Sequence, residues 1–122
     1  MIITINKKCP TINHVFGFKG FRKFIKAEGK EFREYVINEV HKQVHPMNFK
    51  IKLKITIDVI ENWFTKNNEI KRKDLDNRAK FLIDSIFKGL ELDDKFIFEL
   101  VMRKCQSLDE EKSVIKIEES NE

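Results

Sequence analysis

Cysteine is scarce in this chain of 122 residues: Cys9 and Cys105 lie far apart and neither has a CxxC partner, so the sequence suggests neither a zinc knuckle nor a redox pair. Both are expected to be reduced thiols, in the core or at the surface. Long apolar runs are missing as well. No stretch approaches the roughly 18 consecutive apolar residues of a membrane span, and the amino terminus shows no secretory h-region, so a cytosolic protein is expected. The three histidines, His14, His41 and His45, lack ligand spacing as a set. His41 and His45 stand one helical turn apart and could in principle share a metal, but the expectation is that they are solvated helix-end histidines. Neither an internal repeat nor an interdomain linker appears, and the lack of an RNP-like aromatic motif weighs against RNA as the target.

What remains is a chain that is 41% hydrophobic, with Leu, Ile, Val and Phe along almost its whole length, which argues for a folded protein. Its length fits a single domain, 1–122. The net charge of +4 understates the cationic character of most of it. Asp109, Glu110, Glu111, Glu118, Glu119 and Glu122 crowd the end of the chain, opposed there only by Lys112 and Lys116, so the preceding body is distinctly basic. Such a balance suits a polyanionic partner, or simply solubility.

The apolar pattern predicts the order strand, helix, strand, helix, strand, strand. Ile2 to Ile5 reads as a first strand, with Pro10 to Asn13 as its exit turn. Phe32, Val36, Val40 and Val44 recur every four residues, with Tyr35 and Ile37 beside them, and predict a helix from Ala27 to about Val44 that Pro46 stops. Strict alternation from Phe49 to Val59 puts Phe49, Ile51, Leu53, Ile55, Ile57 and Val59 on one strand face and Lys50, Lys52 and Lys54 on the other. After a polar loop, Asn62 to Lys73, a second helix carries Leu75, Ala79, Leu82, Ile83, Ile86 and Leu90, with Gly89 placed as a C-terminal cap. Strands Phe96 to Arg103 and Val114 to Ile117 close the chain. The class is α/β (mixed α+β): a small mixed sheet with two helices. The segment His14 to Phe24, where phenylalanines alternate with glycines and cations, reads either as a basic loop that lays rings along a nucleic-acid strand or as a twisted hairpin whose alternate rings enter the core. Lys19, Arg22, Lys23 and Lys26 can contact phosphates in either case.

The densest chemistry lies in Lys71-Arg72-Lys73-Asp74-Leu75-Asp76-Asn77-Arg78-Ala79-Lys80, followed by Leu92-Asp93-Asp94. Carboxylates two apart ahead of a helix, joined by an acid beyond it, can form an oxygen cage for Mg²⁺ or Mn²⁺. Arg72, Lys73, Arg78 and Lys80 would then hold the anion such a metal attacks, a phosphodiester being the obvious one. If Asp74 and Asp76 are extended, both carboxylates lie on one side of the backbone, and Lys80 follows Asp76 one helical turn later. The same residues also admit a purely structural reading: an N-capping Asp, i,i+4 pairs among Asp76, Lys80 and Asp84, and an Asp93-Asp94 turn.

Asp74-Leu75-Asp76-Asn77 followed by Lys80, with Asp93-Asp94 opening the next strand, resembles the signature of the RusA family of Holliday junction resolvases. Pro10-Thr11-Ile12-Asn13 resembles that family's Pro-Ser-x-Asn turn, and Lys26-Ala27-Glu28-Gly29 with Phe32-Arg33 its Ala-Glu-Gly helix start. The resemblance spans essentially the whole chain. It implies a Mg²⁺-dependent homodimeric endonuclease (Mn²⁺ a possible substitute) that cuts branched DNA, the four-way junction, by paired nicks in recombination or repair, in the cytoplasm of a bacterial, archaeal or phage-infected cell. It also implies that Asp74, Asp76 and Asp94 are the metal-binding carboxylates, with Asp93 the less certain member of its pair, and that Lys80 is the active-site lysine. Thr11-Ile12 departs from the family's small polar pair, and the segment around Phe16 has no counterpart in the motif. Two other readings stand beside this one: a nuclease of the same fold acting on flaps, forks or single strands, and a basic module that holds branched DNA without cutting it. Phe18 or Phe21, in basic, glycine-rich surroundings, could wedge a junction open.

Overall fold

The computed structural model describes residues 1–44 and 50–122. The expectations that involve His45, Pro46 and Phe49 lie outside the described residues. Four strands form the main sheet in the order β1-β6-β4-β5: β1 (Ile2–Ile5), β4 (Leu53–Glu61), β5 (Ile97–Gln106) and β6 (Lys112–Glu119). β6 runs antiparallel to both β1 and β4, whereas β5 is parallel to β4. A parallel neighbour requires a crossover. Helix α3 (Asp76–Leu90) supplies it, followed by one 3₁₀ turn (Asp94–Phe96).

The alternation seen in the sequence sets the orientation of β4, which pairs with β6 on one side and β5 on the other. Leu53, Ile55, Ile57 and Val59 are buried, while Lys54, Thr56, Asp58 and Ile60 are only partly covered. Ile3, Ile5, Ile115 and Ile117 continue the apolar face on β1 and β6. Phe32, Val36 and Val40 of α2 (Ala27–Gln43) join this core, together with Phe81, Leu82, Ile86 and Leu90 of α3. At about 1.5–3 kcal/mol for each large apolar side chain removed from water, this core is the main stabilising term. Among the described residues no helix is long and apolar enough to cross a membrane.

Several local expectations are revised. β4 begins at Leu53, and Ile51 lies outside the strand and is exposed. The stretch after β4 is not simply a polar loop. Trp63 is 3% exposed, its Nε1 donates to the carbonyls of Val59 and Cys105 at 3.1 Å each, and a bridge pairs Phe64 with Ile70. Pro10 to Asn13 is not only a turn, because a single helical turn, α1 (Ile12–Val15), starts within it.

Gly89 is not the cap of α3. Glu91 takes the left-handed conformation at φ 57°, with Leu92 N–H bonded to the Phe87 carbonyl at 3.0 Å and Glu91 N–H to that of Lys88 at 3.3 Å, a Schellman closure. Gly89 instead lies inside the helix, where a Cβ would sit 3.0 Å from Val40 Cβ and 3.3 Å from Ile37 Cα. Its missing side chain lets α2 and α3 approach each other. His41 reaches across the same contact, with Nε2 3.0 Å from the Gly89 carbonyl oxygen.

The aromatic segment forms a hairpin, β2 (Phe16–Lys19) and β3 (Arg22–Ile25), turning at Gly20 with φ 64°. Only part of the hairpin reading holds. Phe16 packs edge-on against Phe81 with centroids 5.9 Å apart, but Phe18, Phe21 and Phe24 are exposed.

The joint between α1, β3 and α2 depends on a second close approach. A Cβ on Gly29 would meet Val15 Cγ1 at 2.9 Å and the Val15 carbonyl oxygen at 3.0 Å. Gly29→Ala is therefore expected to destabilise the fold by about 1–3 kcal/mol of overpacking, partly offset by about 1 kcal/mol of helix propensity. Urea denaturation checks it: a variant more stable than wild type would refute the close approach.

Candidate active site

The site begins with a carboxylate that the core has to accommodate. Glu61 ends β4 in the inward phase of its alternation and is 2% exposed. An ionised carboxylate there needs partners, and three cations supply them. Arg78, in the first turn of α3 and 1% exposed, forks onto Glu61: Nη1 donates to Oε1, and Nη2 donates to Oε2 at 3.4 Å. Lys73 Nζ donates to Oε2 at 3.2 Å, and Lys8 Nζ stands 3.9 Å from the same oxygen. The Trp63 ring, 5.4 Å from the Arg78 guanidinium carbon, covers the other side. Burial alone would push the Glu61 carboxyl up, but the hydrogen bonds and charges of Arg78 and then Lys73 outweigh it and hold the group below its ordinary value. Lys73 is lowered by burial first and then by the neighbouring Lys8, against the pull of Glu61.

This cluster grips the acidic segment at both ends. Lys73 immediately precedes Asp74, and Arg78 follows Asp76 by two residues. Leu75 is already helical (φ −65°, ψ −41°) and packs against the core, so Asp74 and Asp76 are not alternate residues of an extended segment. They straddle the helix start instead: Asp74 just outside, Asp76 as the first residue of α3. Leu75 and Arg78 face inward, whereas Asp74, Asp76, Asn77 and Lys80 are exposed.

Beyond α3 the two acids separate in role. Asp93 caps the 3₁₀ turn, its Oδ1 accepting from Lys95 N–H at 2.9 Å, whereas Asp94 has no such bond. Asp94 instead lies within electrostatic range of Asp84, two turns along α3 from Asp76. Burial pushes the Asp84 carboxyl up, Lys80 opposes this, Asp94 adds to it and Arg33 opposes it. Asp84 is thus a fourth acid on this face. The sequence reading treated it only as an ion-pair partner, but the structure shows no ion pair linking Asp76, Lys80 and Asp84 among the described residues.

The carboxylates of Asp74, Asp76 and Asp94 make no hydrogen bond or ion pair with any described residue. Three exposed carboxylates of that kind are the hard oxygen donors Mg²⁺ or Mn²⁺ prefer, so the donor set fits such an ion. Among the described residues, however, no three His, Cys, Asp or Glu side chains converge into a cage.

The cations expected at phosphates divide into two groups. Lys19 and Arg22 face each other across the hairpin and are exposed, Lys23 lies 4.1 Å from the Phe16 ring centre, Lys26 precedes α2, and Arg72 is exposed. Arg78 is different: placed with the surface cations from its sequence context, it is buried on Glu61. Glu61 and Lys8 escaped the sequence reading altogether. The signal for Glu61 was available, since it extends the inward phase 53, 55, 57, 59 by one step. Cys9, buried beside Arg78, has its thiol pushed up to about 12, chiefly by burial, which favours the protonated form near neutral pH.

Residues 7–118 match the model of the protein family described as Endodeoxyribonuclease RusA. No curated protein matches the chain.

Replacing Glu61 by Gln leaves the buried guanidinium without its counter-charge and should cost about 3–5 kcal/mol in urea denaturation. Because the folded carboxyl sits below its ordinary value of 4.5, its contribution is complete above that pH and is lost as pH falls through the depressed value. Wild-type stability should therefore decline on acidification below about pH 4.5 more steeply than that of Glu61→Gln. Parallel declines would mean that Glu61 is not the charged partner of Arg78.

Proposed function

The chain belongs to the RusA family of endodeoxyribonucleases, and from that premise we propose that it is a divalent-metal-dependent nuclease that resolves four-way DNA junctions by paired nicks. The observation that carries this reading is the set of exposed carboxylates Asp74, Asp76 and Asp94, without partners among the described residues, the first two sharing with Lys80 a segment clamped by Glu61 through Lys73 and Arg78.

Asp74, Asp76 and Asp94 are the residues that would hold Mg²⁺ or Mn²⁺. When bound, the ion supplies Lewis-acid polarisation of the phosphate and a water of lowered pKa. Drawing three carboxylates together costs electrostatic energy unless a cation lies between them, which gives the ion a structural part as well. Lys80 places its ammonium one turn from Asp76, where it stabilises charge developing on the phosphoryl oxygens. The Glu61 clamp fixes the direction in which α3 begins, and with it the positions of Asp76 and Lys80. Lys19, Arg22, Lys23, Lys26 and Arg72 supply backbone contacts that are sensitive to salt and carry little base information.

A junction has approximate twofold symmetry, so two equivalent sites in a C₂ dimer suit paired nicks. β5 offers a surface for one. It is the outer strand of the sheet, and Phe98, Leu100 and Val101 are exposed along it.

A strand-labelled four-way junction, tested beside a linear duplex and a flap, decides the substrate. Symmetric nicks should appear only in the junction and only with Mg²⁺ or Mn²⁺, and Asp76→Asn should lose more than about 100-fold in rate, above the cost of an outer-shell partner. Lys80→Ala should lose about 10²–10³-fold. Equal cutting of the flap would indicate a broader branched-DNA nuclease, and binding without cutting a structural module. Sedimentation tests the assembly: Leu100→Lys should shift a wild-type dimer to monomer, and an unchanged dimer would place the interface elsewhere.

A further inference from the structure

Beside the acidic segment lies a cavity of about 360 Å³ lined by Lys8, Cys9, Pro10, Thr11, His14, Glu28, Lys73 and Arg78. Cations dominate its wall. The one acid, Glu28, has its carboxylate 4.0 Å from His14 Nδ1. The Lys8 and Lys73 ammonium groups share a single carboxylate oxygen, Glu61 Oε2, already engaged by Arg78. One carboxylate cannot neutralise three cations. The other acid within reach, Glu111, meets Lys8 at 3.6 Å with both side chains largely exposed, a pair worth at most about 1 kcal/mol and readily exchanged. In addition, Arg78, fully buried in the wall, leaves its Nε without an acceptor. Arg33 Nε is the other buried side-chain nitrogen without a partner among the described residues, but Arg33 does not line this cavity, whereas an anion seated here would offer Arg78 an acceptor.

We propose that this cavity seats a backbone phosphate of the DNA strand, with Lys8 and Lys73 as its ligands and the Arg78–Glu61 pair as its floor. The proposal rests on the nuclease reading of the neighbouring carboxylates and deepens it. Lys73 precedes Asp74, so a phosphate held here belongs to the strand that passes the acidic site, close to the phosphate to be cut. Lys8 exchanges a weak surface partner for a charge-assisted hydrogen bond, and the shared burden on Glu61 is relieved. The Thr11 hydroxyl offers a further donor in the same wall. The seat would fix the register of the strand before chemistry, the part a phosphate contact plays in positioning.

The test is the salt dependence of junction binding in EDTA, where no cleavage occurs, for wild type, Lys8→Gln, Lys8→Arg and, as a control, the exposed Lys66→Gln. Lys8→Gln should lower the slope of log affinity against log salt by about one, Lys8→Arg should restore it, and Lys66→Gln should leave it unchanged. On the protein alone, inorganic pyrophosphate should change the fluorescence of Trp63, the sole tryptophan and the ring covering Arg78, saturably in wild type and not in Lys8→Gln. A wild type that cleaves the junction while Lys8→Gln keeps its full slope would overturn the phosphate seat and leave the nuclease reading intact. An equal loss in Lys66→Gln would also overturn it, by showing only diffuse charge. A wild type that binds no junction at any salt would remove the nuclease reading, and the DNA assignment of the cavity with it.

Discussion

The pairing of Glu61 with Arg78 links the two halves of the molecule. Glu61 is the last residue of β4, which lies between β6 and β5, and Arg78 lies in the first turn of the helix that crosses to the parallel strand β5. Both are buried, so neither can shed its charge into water, and each holds the other in place. Lys73 and Lys8 attach two further segments to the same carboxylate: the approach to the acidic motif and the stretch after β1. The direction in which α3 leaves the sheet, and hence the placement of Asp76 and Lys80 on its outer face, follows from this contact. A hydrophobic pair of similar volume could stabilise as much. What the ionic pair adds is a directional contact at the point where α3 begins.

Around that fixed point the surface divides into regions of different chemistry. The inner face of the sheet is covered by α2 and α3, whose close approach depends on the absent side chain of Gly89. The hairpin β2–β3 holds on to the body through Phe16, which meets Phe81, and extends Phe18, Phe21 and Phe24 into solvent among Lys19, Arg22 and Lys23. Exposed rings among cations suit a nucleic-acid strand, since every base has a face to stack and every linkage a phosphate to pair. The edge strand β5 leaves a second apolar strip uncovered. The two strips belong to different elements, so the proposed DNA contact and the proposed dimer would not compete for one surface.

Much of the fold was legible because alternation and four-residue spacing report burial directly. The β4 alternation, the α2 stripe of Phe32, Val36 and Val40 and the first strand all fall where their periodicity puts them. The failures share a cause. Gly89 satisfied the local rule for a cap, but a helix on the far side of the core needed the space, and Glu91 took the left-handed position instead. Trp63 sat in a polar run and was drawn inward by carbonyls of Val59 and Cys105, the second of them more than forty residues away. Arg78 looked like one more surface cation until a carboxylate from another element required it.

By itself the sequence determined the order of the four main-sheet strands and the two long helices, the acidic motif with its lysine and its likeness to a nuclease family, because those are properties of neighbours along the chain. The tertiary structure alone decided which charges are partnered and which are free. Asp93 and Asp94 are adjacent and chemically identical, yet one closes a turn and the other has no bond of that kind. Arg72 is exposed while Arg78, six residues on, is buried. The reason is physical: the state of a charge depends on what the fold brings within a few ångströms of it and on how much water it excludes, and neither quantity is local in sequence.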